Sequence, residues 1–159
     1  MVIFTGCLNL KSDEQIVDEK FMELVSFLQD KNHDSIKSLF APNITLSLDD
    51  FDNSINELTT YYSGVYESLD KYGLITEQIR DFGFEQKWFK MSYDVTTSID
   101  TFRIAMSWYV IDTNDTKNIG IWSLYIIKFD DDINQEYSYG GDSLWTNGIH
   151  IGKTYARDG

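Results

Sequence analysis

Trp88-Phe89-Lys90-Met91-Ser92-Tyr93-Asp94-Val95 alternates apolar and polar residues, and Phe102-Arg103-Ile104-Ala105-Met106-Ser107-Trp108-Tyr109-Val110 repeats the pattern shortly afterwards. A period of two belongs to strands, whose successive side chains point to opposite faces. In the first run Phe89, Met91, Tyr93 and Val95 form an apolar face, and Trp88, Lys90, Ser92 and Asp94 a mixed one. In the second, Phe102, Ile104, Met106, Trp108 and Val110 alternate with Arg103, Ala105, Ser107, Tyr109 and Ile111. Asp100 marks a turn and the polar run 112–117 a hairpin loop, so these strands are expected to be antiparallel neighbours. Residues 119–129 are apolar almost throughout, with Ile121, Tyr125 and Ile127 expected on one face and Trp122, Leu124 and Ile126 on the other. Such a strand needs cover on both sides. Helices supply one cover; the other is a C-terminal segment, a second subunit joined through the sheet as a homodimer, or a partner. Strands are expected at about 86–97, 101–112 and 118–129, with short additions at 136–139 and 144–151.

Upstream the period is helical. Ser12-Asp13-Glu14-Gln15 has the form of a capping box, followed by Ile16, Val17, Phe21, Leu24, Val25 and Leu28 at spacings that place them on one stripe. A second helix, capped by Asp34, runs to Phe40 and is stopped by Pro42; a third runs from about Asp52 to Tyr62, with Gly64 as its exit. The expected fold class is α+β: N-terminal helices packed on a curved antiparallel sheet, with residues 12–159 as a single domain. Leu24, Phe102, Ile104 and Trp108 sit on the apolar phase of their elements and are expected in the core.

At 159 residues the chain has the size of one domain, one that buries roughly 70% of the surface its unfolded form exposes. A formal charge of −13 argues against nucleic acid as a partner, because binding polyphosphate requires Lys and Arg neutralisation. No run of apolar residues is long enough for a transmembrane helix. The single Cys and two His exclude an intramolecular disulfide and a structural zinc site, and no metal or cofactor is expected. Residues 12–60 carry eleven acids against three Lys, and residues 112–142 carry seven against two. The densest stretch, Asp130, Asp131, Asp132, Glu136 and Asp142, solubilises the surface or meets a basic protein partner. It lacks the glycine and glutamate of a calcium loop, having Gln135 and Gly141 in their places.

No catalytic residues are expected. His33 and His150 have no nucleophile in recognisable context, and Asp94 shares the face of Trp88, Lys90 and Ser92, away from the main apolar set. The aromatic residues, Trp88 and Tyr125 among them, are expected to gather between the third helix and the sheet. There Tyr61, Tyr62, Tyr93, Trp108 and Trp122 fill a core or line a pocket.

Residues 2–7 read like the end of a bacterial lipoprotein signal without its basic region, so that residues 1–11 form a signal remnant and tether, and Cys7 carries lipid. The domain would then be lipid-anchored at the cell surface or its periplasmic equivalent; without that signal it would be cytoplasmic with a free thiol.

Phe4-Thr-Gly-Cys7, Ser12-Asp-Glu-Gln-Ile-Val17, Asp34-Ser-Ile-Lys-Ser-Leu-Phe-Ala-Pro42, Tyr61-Tyr-Ser-Gly64 and Ile119-Gly-Ile-Trp-Ser-Leu124, in this order, resemble a family of uncharacterised bacterial lipoproteins with a nuclear-transport-factor-like, cystatin-like cone fold. The resemblance implies that cone and brings no catalytic residues. Similar folds also serve as immunity proteins against secreted toxins. The expected function is a non-enzymatic cell-surface binding domain with a protein partner, such as a toxin. The alternatives are a pocket for a small apolar or amphipathic molecule and, after it, an isomerase- or dehydratase-like proton-transfer enzyme.

Overall fold

The computed structural model describes residues 11–153, so Cys7 and the signal-like stretch lie outside the described residues. Four helices come first: α1 (Asp13–Gln29), α2 (His33–Leu39), α3 (Pro42–Ser47) and α4 (Phe51–Tyr61). Five strands follow: β1 (Tyr66–Asp81), β2 (Phe84–Thr97), β3 (Thr101–Asp112), β4 (Gly120–Lys128) and β5 (Gly148–Ile151). They form one curved sheet in the order β1-β2-β3-β4-β5, antiparallel except for β4 with β5.

The capping box is present. Ser12 Oγ accepts from the Gln15 N–H, and the Gln15 side chain accepts from the Ser12 N–H. The second helix is capped by Asn32 rather than Asp34, through a bond from the Ser35 N–H at 3.1 Å. Pro42 does more than stop that helix: it opens α3, an element absent from the sequence reading, since a missing N–H costs nothing at a first helical position.

β1 was also not legible in the sequence. Most of its side chains are partly or fully exposed, and register shifts after Tyr66 and after Lys71 break its alternation. The 136–139 segment is a single 3₁₀ turn and not a strand, and residues 144–147 form a loop. In β4 a further register shift lets Ser107 face Ser123 while Trp108 faces Ile121, leaving Trp122 as the extra residue. The phase expected for this strand is therefore corrected: Ile121 joins Leu124 and Ile126 in the main core, while Tyr125 and Ile127 belong to the opposite side.

The main core lies between the helices and the inner face of the sheet, where Leu24, Phe102 and Ile104 are fully buried and Trp108 is 9% exposed. The outer face carries a small second core of Ala105, Tyr125, Ile127 and Tyr137, with Trp145 packed against it. The second cover that β4 required is thus the C-terminal segment. Arg103 clamps that segment down. Its Nε and Nη2 donate to Asp94 at 2.8 and 3.0 Å, and its Nη1 to Asp132 at 3.0 Å. The guanidinium sits between the rings of Tyr72 and Phe129, 4.6 and 4.8 Å from their centroids.

Candidate functional site: an aromatic groove on the outer face of the sheet

Cross-strand neighbours on one face of a sheet stand close enough for aromatic rings to meet. Trp88 of β2 stacks on Tyr109 of β3 at 5.3 Å and 17°, and Tyr109 meets Trp122 of β4 at 5.1 Å and 43°. The indole of Trp122 is fixed by donating to the Asn118 carbonyl at 2.7 Å. A ladder of three rings therefore crosses the outer face. Burial first, and the charges of Glu77 and Asp112 second, push the Tyr109 phenol up, so it stays an O–H donor.

The loop over this ladder is built from left-handed residues, Gly140, Gly141, Ser143 and Trp145 among them. Asp142 organises it. One carboxylate oxygen accepts from the Leu144 N–H at 2.9 Å, the Trp145 N–H at 3.1 Å and the Tyr125 hydroxyl at 3.0 Å; the other accepts from the Thr146 hydroxyl. Burial works to raise the Asp142 carboxyl, but these bonds outweigh it and hold the group below the ordinary carboxylate value. Gly140 leaves room for the Trp145 ring, which a Cβ there would approach to 2.5 Å.

Trp145 then divides a groove in two. One lobe, about 270 Å³, is lined by the ladder with Lys90, Ser107, Leu144 and Asn147. The other, about 210 Å³, lies between Trp145 and the β1–β2 ribbon at Tyr72, Gly73, Ile75 and Ser92. Lys90 and Trp145 line both lobes. A wider hollow of about 620 Å³ opens beside α4, but it is a shallow depression. There the Tyr61 hydroxyl accepts from the Lys128 N–H at 3.1 Å, and the Lys128 ammonium pairs with Asp100 at 2.7 Å.

The five carboxylates read as a partner surface are not all exposed. Asp130 and Asp131 are exposed, but Asp132 and Glu136 are only 6% and 8% exposed, and Asp142 is turned into its own loop. Asp132 binds Arg103 and also accepts from the Glu136 N–H at 2.8 Å. Asp132 and Asp142 thus hold the C-terminal segment together, while Asp130 and Asp131 stay open to solvent.

The five rings read as pocket lining are likewise dispersed. Tyr61 borders the shallow depression. Tyr62 is buried 5.2 Å from the Phe102 ring, its phenol pushed up to about 12 by burial and then by Tyr66. Tyr93 is buried against Phe21 at 4.0 Å and donates to Asp18 at 2.5 Å; burial and that carboxylate push its phenol far up. Trp108 packs on Phe89 at 5.7 Å in the main core. Of the five, Trp122 alone lines the groove while also packing against the main core, and Trp88 stands on the face opposite to the one expected. The alternation had already grouped Trp88 with Lys90, which was the available signal. Trp145, Asn147 and Ile75 were missed, because only folding brings their segments together.

His33 Nε2 lies 2.9 Å from the Thr59 hydroxyl, and His150 stacks on Tyr125 at 4.3 Å. Among the described residues no cluster of three His, Cys, Asp or Glu side chains suits a metal ion, and no helix is long and apolar enough to cross a membrane.

Fold and groove together define an α+β domain with an aromatic cleft on the outer face of its sheet. Residues 23–129 match the model of a family described as a domain of unknown function, DUF5104, and the chain belongs to that family. The search of curated proteins gave no match. The matched span contains Ile75, Trp88, Lys90, Tyr109 and Trp122, the floor of the groove; the loop bearing Trp145 and Asn147 follows it.

Proposed function

We propose that this domain is a non-enzymatic binding protein that takes a small amphipathic molecule in the outer-face groove. The observation that carries this reading is the three-ring ladder roofed by Trp145, with a single lysine reaching both lobes. Ligand sites combine aromatic and apolar walls with a few convergent polar groups, and this groove has that composition. A binding role is further supported by Asp94, whose carboxylate is held at two points by Arg103. The reading keeps two inferences from the sequence: the nuclear-transport-factor-like cone, supported by helices followed by a curved sheet, and lipid attachment at Cys7, which would hold the groove close to a cell-surface bilayer.

A second reading is a basic protein partner, for instance a toxin neutralised by this domain as its immunity protein. The exposure of Asp49, Asp50, Asp52 and Glu57 favours it and moves the contact from residues 130–142 to the helical layer. Titrating a panel of amphipathic molecules while following tryptophan emission separates the two. Saturable changes that disappear in Trp145→Ala, with no salt-sensitive protein binding, support the groove. An emission that no panel member alters, beside salt-dependent capture of a basic protein lost on replacing the helical acids, would overturn it.

A further inference from the structure

Resting on the groove reading, we infer that the ligand is a monoanion, an amphipathic carboxylate whose head group sits at Lys90 and whose apolar body lies along Ile75. The register of the sheet makes this juxtaposition: Ile75 and Lys90 are direct cross-strand partners, so their side chains stand side by side on the outer face. Ile75 is 52% exposed, an apolar side chain left open beside a cation. Next to it Gly73, opposite Ser92, has no side chain, which opens a notch in the wall of the smaller lobe.

The Lys90 ammonium is available. Its ionic partner is Glu77 at 3.4 Å, longer than the roughly 2.7–2.9 Å of a strong charge-assisted bond, and both side chains keep contact with solvent. Arg103, by contrast, is saturated by Asp94 and Asp132. The same lobe is lined by three donor-bearing side chains, the Tyr109 phenol, the Asn147 amide and the Trp88 indole, none of which meets a protein acceptor among the described residues. Aromatic edges carry the positive end of the ring quadrupole and also favour an anion. Ser107, the other hydroxyl of this lobe, is paired with Ser123 at 2.5 Å. A single lysine lining the groove, in a chain of net charge −13 and with Glu77 alongside, suits one negative charge and not several.

The test compares octanoate, octan-1-ol and octylammonium below their micellar concentrations, following tryptophan emission and the melting temperature of wild type, Lys90→Met and Ile75→Ala. Lys90→Met keeps the apolar stem and removes the charge, and its melting curve reports that it folds. Octanoate is expected to bind wild type about tenfold more tightly than octan-1-ol, the scale of one charged hydrogen bond. Lys90→Met should lose that preference while still binding the alcohol, and Ile75→Ala should weaken both. Equal affinity for octanoate and octan-1-ol, or a preference for octylammonium, overturns the anion seat and leaves the groove standing. If none of the three changes emission or melting temperature, the groove reading itself fails.

Discussion

Arg103 and its two carboxylates form a buried charged triad between the sheet and the C-terminal segment, with 4% of the arginine side chain exposed. Breaking a buried pair by removing one partner leaves charge without compensation, so Arg103→Leu should cost about 3–5 kcal/mol in chemical denaturation. Adding Asp94→Asn and Asp132→Asn should recover part of that loss. At Asp112, burial works to raise the carboxyl, but bonds from Asn118, the Asp115 N–H, Gln86 and the Asn114 N–H outweigh it and hold the group low. A depressed folded-state value means that the stabilisation is fully present above the ordinary carboxyl value of 3.8 and is lost as pH falls below it. Asp142 follows the same sign. Denaturation midpoints followed from pH 6 downward should therefore fall most steeply below about pH 4, and Asp112→Asn should flatten that limb. Trp108, placed in the core by alternation and found there, should cost about 3–5 kcal/mol on replacement by Ala. Single residues were legible where one phase decided their side; Asp132 and Glu136 were not, because an acid is read as solvated until a distant arginine or backbone N–H is known to meet it.

The β1–β2 hairpin turns through Phe82 at φ 40° and Gly83 at φ 87°, and the phenylalanine side chain is fully exposed. Two-residue hairpin turns with positive φ at both positions favour Asn-Gly. Phe82→Asn should therefore raise stability by about 0.5–1 kcal/mol, visible as a higher denaturation midpoint with unchanged slope. The opposite outcome is expected where β4 begins. Gly120 has φ 135°, and a Cβ there would lie 2.4 Å from the backbone nitrogen of Ala41. Since neither backbone can move cheaply, Gly120→Ala should cost roughly 3 kcal/mol or more. β2, β3 and the capped α1 were legible because the apolar residues of each recur at one strict period, two in the strands and near 3.6 in the helix, whatever later covers the other face. β1 was not: its side chains are largely solvated, and its bulges reverse the phase along one strand.

Across the whole molecule the charge of −13 is unbalanced, and mutual repulsion opposes the compact state. Raising ionic strength from about 0.01 to 0.15 M shortens the screening length from about 30 to 8 Å, so the melting temperature should rise over that interval. A fall would mean that the surface pairs, such as Lys37 with Asp52 at 2.5 Å, contribute more than the repulsion removes. The sequence alone determined the α+β class, the order of helices before strands, the pairing of β2, β3 and β4, and the need for a second cover over β4, since each follows from local periodicity and the burial it demands. Only the tertiary structure decided what that cover is, which acids are internal, and that Trp88, Lys90 and Ile75 meet Trp145 across a groove. Those facts depend on segments far apart in the chain meeting on the outer face, and on bulges at Tyr72 and Trp122 that rotate side chains from one face to the other. Periodicity records which side of its own element a residue takes; it carries no information about what folds over that side.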